Sequence, residues 1–418
     1  MPELTPVRVG SAAVLVPGNR WDLLPPGPAP SVTAVVTHFE QPAQLARVLA
    51  ALAVQTHRPQ EVVVADDGSA RTPVVPTGVR VVRQDDLGFR AAAARNLGAA
   101  AATSDVLVFL DADTVPEPDF VRALVRRVAA CPDVLAVGRR RHADLSGDGR
   151  ELPEPVWLRE GYAATRDLLD ADGRSFRYVI SAVLACRRSL FEDLGGFDGR
   201  FVGYGGEDWD LGYRAWNGGA VLVHEREAVA WHDGPEWAGR ADRSVKDAET
   251  ARLAGLIPEP LTRGAPLPGA LPDVLVDVPA YDVRCVHALL RQDHRDLQVR
   301  VAGAGELHTG VVRTEAWTAD QLRRARVRLV LDQPSVLAPH VVGDLVERLT
   351  TGGLGEVLLT VGGKPVGRAQ SSRALGRARR WAGQVDDVVG RAFGRGTYDV
   401  RPVPPRDDLA GFLAAPWS

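Results

Sequence analysis

A chain of 418 residues is longer than one hydrophobic core commonly serves, so two domains are expected. A formal net charge of −3 gives no global attraction for nucleic acid, and 45% hydrophobic with 25% charged residues suits a soluble globular protein. Three widely spaced cysteines (Cys131, Cys186, Cys285) exclude a disulfide framework or zinc cluster, and no apolar run nears the ~18 residues that cross a bilayer.

In chain order, Val7–Val9 and residues 13–16 form a short strand pair, and Pro25-Pro26-Gly27-Pro28 breaks the chain after it. An alternating pattern then begins. Residues 31–37 are a strand, 42–54 a helix with Leu45, Val48, Leu49 and Leu52 on one face, and 61–65 a buried strand. Residues 79–82 are a short strand, 88–102 an Ala-rich helix, 106–110 an apolar strand stopping at Asp111, and 118–130 a helix. Such βαβαβ order predicts a Rossmann-like, mainly parallel sheet with helices on its faces and ligands beyond the carboxyl ends of its strands. Both Asp66-Asp67 and Asp111/Asp113 fall there.

Residues 258–272 are rich in Pro and Gly and read as a linker. Beyond them the pattern repeats in worn form. QTHRPQEVVV at 55–64 matches QDHRDLQVRV at 292–301, and VLVFLDADT at 106–114 matches VRLVLDQPS at 327–335. In the copy Asp66-Asp67 becomes Gly303-Ala304 and Asp113 becomes Pro334. The expected division is an N-terminal extension and linker at 1–28, a catalytic domain at 29–257, the linker 258–272, a degenerate copy at 273–400 and a tail at 401–418.

Four segments carry chemistry. Asp111-Ala-Asp113 at a strand end has two carboxylates that can share a hard divalent cation, or simply close a turn. Asp66-Asp67-Gly68-Ser69 can accept from a base and a ribose hydroxyl, or form an Asx-turn. Arg90 and Arg95, on a helix of small residues, can approach a diphosphate or be solvated. The fourth segment, from Gly195 to Arg214, includes Tyr204-Gly205-Gly206-Glu207-Asp208-Trp209-Asp210. Its glycines permit close backbone approach, and its carboxylates open a predicted helix where Asp210 can serve as an acidic cap.

Together, residues 31–240 resemble the family 2 glycosyltransferases of the GT-A fold, and the Gly-Tyr-Gly-Gly-Glu-Asp stretch is similar to the acceptor-side motif of β-1,4-galactosyltransferases and chondroitin polymerases. The resemblance implies that Thr37, Phe39, Asp67, Arg90 and Arg95 line the nucleotide, together with Asp111. It places Asp111 and Asp113 on manganese or magnesium, with His232 as third ligand and His224 as its competitor. Asp208 matches the catalytic base, Glu207 the acceptor-orienting group, and Tyr204, Trp209 and Trp231 offer flat faces to acceptor sugars. Retaining relatives tend to carry Asn at the position of Asp208, so inversion is implied. The implied donor is a nucleoside-diphosphate sugar, a UDP-sugar by preference, and the acceptor a glycan or glycosylated metabolite.

Two other readings compete. Asp111-Ala-Asp113-Thr-Val also fits the nucleophile motif of haloacid-dehalogenase-type phosphatases, although three strands precede it and Lys246 is almost the only lysine nearby. A non-catalytic sugar-binding scaffold suits the copy better than the first domain. The eight basic residues within 364–395 read as a solvated helix, with an anionic surface as the other use. The expected location is cytoplasmic, since no secretory leader is visible, with peripheral membrane contact and a homodimer compatible with the sequence.

Overall fold

The computed structural model describes residues 5–10, 13–234, 243–264, 271–302, 311–312 and 316–400. The chain divides into two compact units, one built on Pro6–Trp216 and Ala220–Arg252, the other mainly on Leu253–Ser418.

The first unit opens with the antiparallel pair β1 (Val7–Val9) and β2 (Ala13–Leu15). It continues with β3 (Val32–His38), α1 (Pro42–Ala53), β4 (Glu61–Asp66), β5 (Val79–Arg83), α2 (Ala91–Ala100), β6 (Val106–Asp111), β7 (Thr114–Pro116) and α3 (Phe120–Val125). Then come β8 (Val134–Ala143), β9 (Glu151–Leu152), α4 (Val156–Ala164), β10 (Val183–Arg187), α5 (Arg188–Leu194), α6 (Glu207–Asn217), β11 (Val221–Asp233) and α7 (Arg243–Leu256). The main sheet runs β5-β4-β3-β6-β10-β8-β11-β7, with β9 on β8.

Its first four strands are parallel, as the alternating pattern predicts. β10 then runs antiparallel to both β6 and β8, while β11 lies parallel to β8 and β7 antiparallel to β11. The second half is therefore mixed. Residues 106–110 of β6 are wholly buried, which is why that strand is apolar throughout instead of alternating. Pro42 at the first position of α1 pre-sets its dihedral and has no N–H to leave unpaired. α2 lies close to the sheet because Gly98 has no side chain: a Cβ there would overlap Val35 and stand 3.2 Å from that of Ala65.

Two expectations are corrected here. Residues 13–28 are no loose extension, since Leu15 and Val16 are buried and the Asn19 amide bridges Leu168 and Leu222, accepting from Leu222 N–H at 2.8 Å. A buried amide with its backbone partners satisfied costs little to keep inside, and it pins the segment to the unit. The helix expected from residue 88 begins at Ala91, because the Arg90 N–H is taken by the Asp67 carboxylate at 2.7 Å.

The second unit holds α8 (Pro260–Arg263), β12 (Val274–Val278), α9 (Val283–Leu290), β13 (Leu297–Val301), β14 (Val311–Val312), α10 (Ala319–Arg324), β15 (Val327–Leu331) and α11 (Val341–Thr350). β16 (Glu356–Val361), β17 (Lys364–Ser371), α12 (Ser372–Arg380), α13 (Val388–Ala392) and β18 (Arg395–Asp399) complete it. Its sheet runs β14-β13-β12-β15-β17-β16-β18. Substituting β3, β4, β5, β6, β8, β10 and β11 for β12 to β18 in chain order reproduces the first seven strands of the main sheet. The antiparallel insertions match too: β17 opposes β15 and β16 as β10 opposes β6 and β8, and β18 parallels β16 as β11 parallels β8. The second unit is a copy of the first in topology, with its own core around Val276, Val286, Leu289, Leu345 and Leu359.

Gly303-Ala304, the tail 401–418 and residues 265–270 of the linker lie outside the described residues. The basic stretch 364–395 is not one solvated helix. It is β17, α12 and α13, with Arg377 fully buried beneath the Phe393 ring and bound to the Gly219 carbonyl. Guanidinium groups whose donors meet carbonyls and aromatic faces can be enclosed, so charge content alone misjudged their exposure. Among the described residues no helix is long and apolar enough to cross a membrane.

Candidate active site

Parallel register sets the site's floor. Thr37 on β3 stands opposite Asp111 on β6, and His38 opposite Asp66 on β4, so the carboxyl ends of three strands meet at one edge. The acidic pair on β4 divides its work. Asp66 is fully buried and accepts from Ser69 Oγ at 2.6 Å, the Ser69 N–H at 3.1 Å, His38 Nδ1 at 2.7 Å and Arg83 Nε at 2.9 Å. Burial alone would raise its pKa; the hydrogen bonds from Ser69, His38 and Arg83 outweigh that and hold it low. Asp66 closes an Asx-turn. Asp67, 3% exposed, accepts from Gln84 and from the Arg90 N–H that starts α2. The Arg90 guanidinium donates to the Asp85 carbonyl and so is tied to its own loop. Thr37 Oγ1 is enclosed with no hydrogen-bond partner among the described residues, and Phe39 stands 42% exposed at the same edge.

Arg95 on α2 joins the two halves of the site. Buried beside the Phe197 ring, it donates to Asp111 Oδ1 at 2.8 Å and to Glu207 Oε1 at 3.0 Å. One guanidinium thus fixes the distance between the β6 edge and the start of α6. The next residue, Asn96, grips the same loop, donating to the Phe197 carbonyl and accepting from its N–H, both at 2.8 Å.

Asp113 faces His232, whose Nε2 is 3.6 Å from Asp113 Oδ2, because β7 pairs Thr114 with His232. His232 Nδ1 lies 3.1 Å from the Gly234 carbonyl. If the neutral ring donates there, its Nε2 lone pair is left toward Asp113, the tautomer a metal ligand needs. Asp113 has its pKa raised by burial, eased by His232 and raised again by Asp111. Crowded carboxylates of this kind are relieved by a cation, and their oxygens suit magnesium or manganese. No group of three His, Cys, Asp or Glu side chains is gathered at metal-binding geometry among the described residues. His224 is placed elsewhere on β11, against Asp167 at 2.8 Å and stacked on Tyr162.

The start of α6 depends on Gly206, whose φ is +89° and where a Cβ would approach the Phe201 ring to 2.8 Å. Glu207 is enclosed, and burial with the neighbouring Asp208 charge, against Arg95, pushes its pKa up to about 7. Asp208 is half-buried, with Oδ1 lacking a partner among the described residues; burial raises its pKa and Arg95 opposes that. Asp210 lies within α6, fully buried against Arg214 at 2.6 Å, and Arg214 Nη1 in turn holds the Leu194 and Gly196 carbonyls.

The aromatics separate. Tyr204 is exposed, 5.8 Å from the Phe89 ring, and Trp209 meets Phe176 edge-on. Trp231 is corrected: its Nε1 donates to Glu117 at 2.8 Å and the Arg141 guanidinium covers its ring at 4.2 Å. Successive strand residues point to opposite faces, so Trp231 and His232 cannot serve one pocket. Sequence reading missed Gln84, Asn96 and Glu249. Glu249, on α7, lies against Gly205 and has its pKa raised by burial and the Asp208 charge. Asn96 directly follows Arg95 in a segment already singled out, but its part was not read; Gln84 and Glu249 stand in no motif, and only the tertiary fold brings them in.

Comparison with known proteins bears out the family resemblance over part of the chain. Residues 33–195 match the model of glycosyl transferase family 2, and 170–224 match that described as the N-terminal domain of galactosyltransferase. The chain carries a family 2 glycosyltransferase domain. Hyaluronan synthase of Pasteurella multocida is 28% identical over 66% of this chain and 33% of its own length. Chondroitin synthase of Escherichia coli is 28% identical over 66% of this chain and 46% of its own. Validoxylamine A glucosyltransferase of Streptomyces hygroscopicus subsp. limoneus is 31% identical over 48% and 51%. The chain thus spans half or less of the length of the first two. The matched residues lie in the first unit, an α/β fold whose sheet begins with four parallel strands, and the topological copy follows it. The phosphatase reading fails with this match, and the cation at Asp111 is Arg95, not a lysine.

Proposed function

We propose that this chain is an inverting glycosyltransferase, moving a sugar from a nucleoside-diphosphate sugar, a UDP-sugar, to a hydroxyl of a glycan or glycosylated metabolite. The observation that carries the reading is the Arg95 bridge, which sets Glu207 and the adjacent Asp208 beside the Asp111 edge.

Thr37, Phe39 and Asp67 line the nucleotide at the strand ends. Arg90 serves there through the N–H it gives Asp67, which holds the start of α2 in place. Asp111, Asp113 and His232 are the residues that would hold a divalent cation, which when bound would offset negative charge on the leaving diphosphate. Asp208 takes the proton of the acceptor hydroxyl as its oxygen attacks the anomeric carbon from the face opposite the diphosphate. The new C–O bond forms as the old one breaks, and the nucleoside diphosphate leaves with the electron pair. A raised pKa brings the base nearer the proton affinity it needs, and Oδ1 has no hydrogen-bond partner among the described residues. Glu207 orients the acceptor while Arg95 fixes it, and Tyr204 and Trp209 flank the entry.

UDP-, GDP- and dTDP-sugars assayed for hydrolysis with manganese and with EDTA test the reading. Turnover of one class, lost in EDTA, is expected. No turnover and no shift in melting temperature with any of them would overturn it.

A further inference from the structure

A second cleft of about 420 Å³ opens in the first unit between α4, β8 and β11. Five arginines line it (Arg139, Arg140, Arg159, Arg166 and Arg226) against two carboxylates, Glu154 and Asp167. Arg139 is held by Glu154 at 2.8 Å, and Arg226 reaches Asp167 only at 3.6 Å, with its side chain 72% exposed. Arg159 is exposed and makes no ion pair among the described residues.

At the wall His224 is 6% exposed, stacked on Tyr162 with centroids 3.6 Å apart, and its Nδ1 meets Asp167 at 2.8 Å. Its Nε2 is enclosed, with no hydrogen-bond partner among the described residues, while the residue forms part of the cleft wall. Burial lowers the His224 pKa, which favours the neutral ring at that wall. The turn presenting Asp167 has three consecutive non-glycine residues at positive φ, Arg166 at 50°, Asp167 at 57° and Leu168 at 68°. Such a turn persists only where its surroundings hold it. Here the Asn19 amide binds the Leu168 carbonyl and the His224 N–H binds that of Asp167. Ile180 in the lining precedes Ser181, which borders Asp208, so the cleft adjoins the acceptor side of the site.

We propose that this cleft is an acceptor subsite for an acidic sugar residue, its carboxylate taken by Arg159 and Arg226 and its hydroxyls by the carboxylates Glu154 and Asp167. The mixture of charges selects this ligand: guanidinium groups match a carboxylate, while Glu154 and Asp167 accept from hydroxyls and would repel a bare phosphate. The proposal rests on the glycosyltransferase reading.

The test uses the full chain at low salt with an oligosaccharide ending in glucuronate and its carboxyl-reduced, glucose-ended counterpart. Calorimetric binding is measured without donor, and KM and kcat with it. The acidic form should bind about tenfold more tightly, through KM and not kcat, and Arg159→Glu with Arg226→Glu should erase the preference. Both side chains are exposed, so folding is undisturbed. Equal affinity for the two, a preference surviving the double substitution, or competition by inorganic phosphate as strong as by glucuronate overturns the proposal. Donor hydrolysis by the unaltered chain is followed in parallel: if it fails while the acid preference stands, the subsite is upheld and the transferase reading falls.

Discussion

Asp208 and Glu207 are neighbours in sequence with different surroundings. Glu207 is bound by Arg95, whereas Asp208 Oδ1 has no partner among the described residues, a difference that supports the proposal of Asp208 as the base. Asp208→Asn keeps the shape and removes the proton acceptor. Transfer should fall about a thousandfold while UDP affinity, measured by calorimetry with manganese, stays within about twofold. Retained transfer would remove Asp208 from the role. Glu207 gives a pH signature instead. Its folded pKa of about 7 lies above its ordinary 4.5, so the folded state binds the proton more tightly than the unfolded one. Stability from this group is therefore lost as pH rises from about 4.5 to 7. In EDTA, the melting temperature of Glu207→Gln relative to the unaltered protein should rise across that window. A constant difference would show that Glu207 does not titrate there.

The loop from Gly195 to Gly206 is positioned by two helices that each give it a side chain. Asn96 on α2 holds Phe197 through both backbone groups, and Arg214 on α6 holds the Leu194 and Gly196 carbonyls while neutralising Asp210. Arg214→Ala leaves the buried Asp210 carboxylate uncompensated and should cost about 3–5 kcal/mol in urea unfolding. Asn96→Ala should cost less, about 1–3 kcal/mol, and should depress transfer more than donor hydrolysis because the loop leads to Asp208. Equal losses in the two activities would contradict that division. The motif was legible in the sequence from its glycines and carboxylates. The ion pair of Asp210 with Arg214 was not, because an acidic residue in a helix's first turn looks alike whether it faces solvent or a buried partner, and only burial separates the two.

Across the whole chain, one sheet order occurs twice and the acidic equipment occurs once. In the copy, Asp332 follows β15 where Asp113's partner Asp111 ends β6, but Pro334 stands in place of Asp113. At the place of α6 stands α13, where the Asp387 side chain caps the helix by accepting from the Gly390 N–H. We therefore expect Asp113→Ala to abolish manganese-dependent donor hydrolysis and Asp332→Ala to leave it unchanged. Loss of activity in Asp332→Ala would assign the copy a catalytic part.

The sequence by itself determined the strand and helix alternation, the acidic strand ends and the repeat, because these are local patterns of hydrophobicity and turn chemistry. It also carried enough of four motifs to point to the family. Only the tertiary structure decided which carboxylate is structural, as with Asp66 and Asp210, and which histidine meets Asp113. It also turned Trp231 away from His232, enclosed Arg377, and brought Arg95 between Asp111 and Glu207 across 112 residues of chain. Those outcomes depend on pairing register and burial between segments distant in sequence, and no periodicity within a segment encodes them.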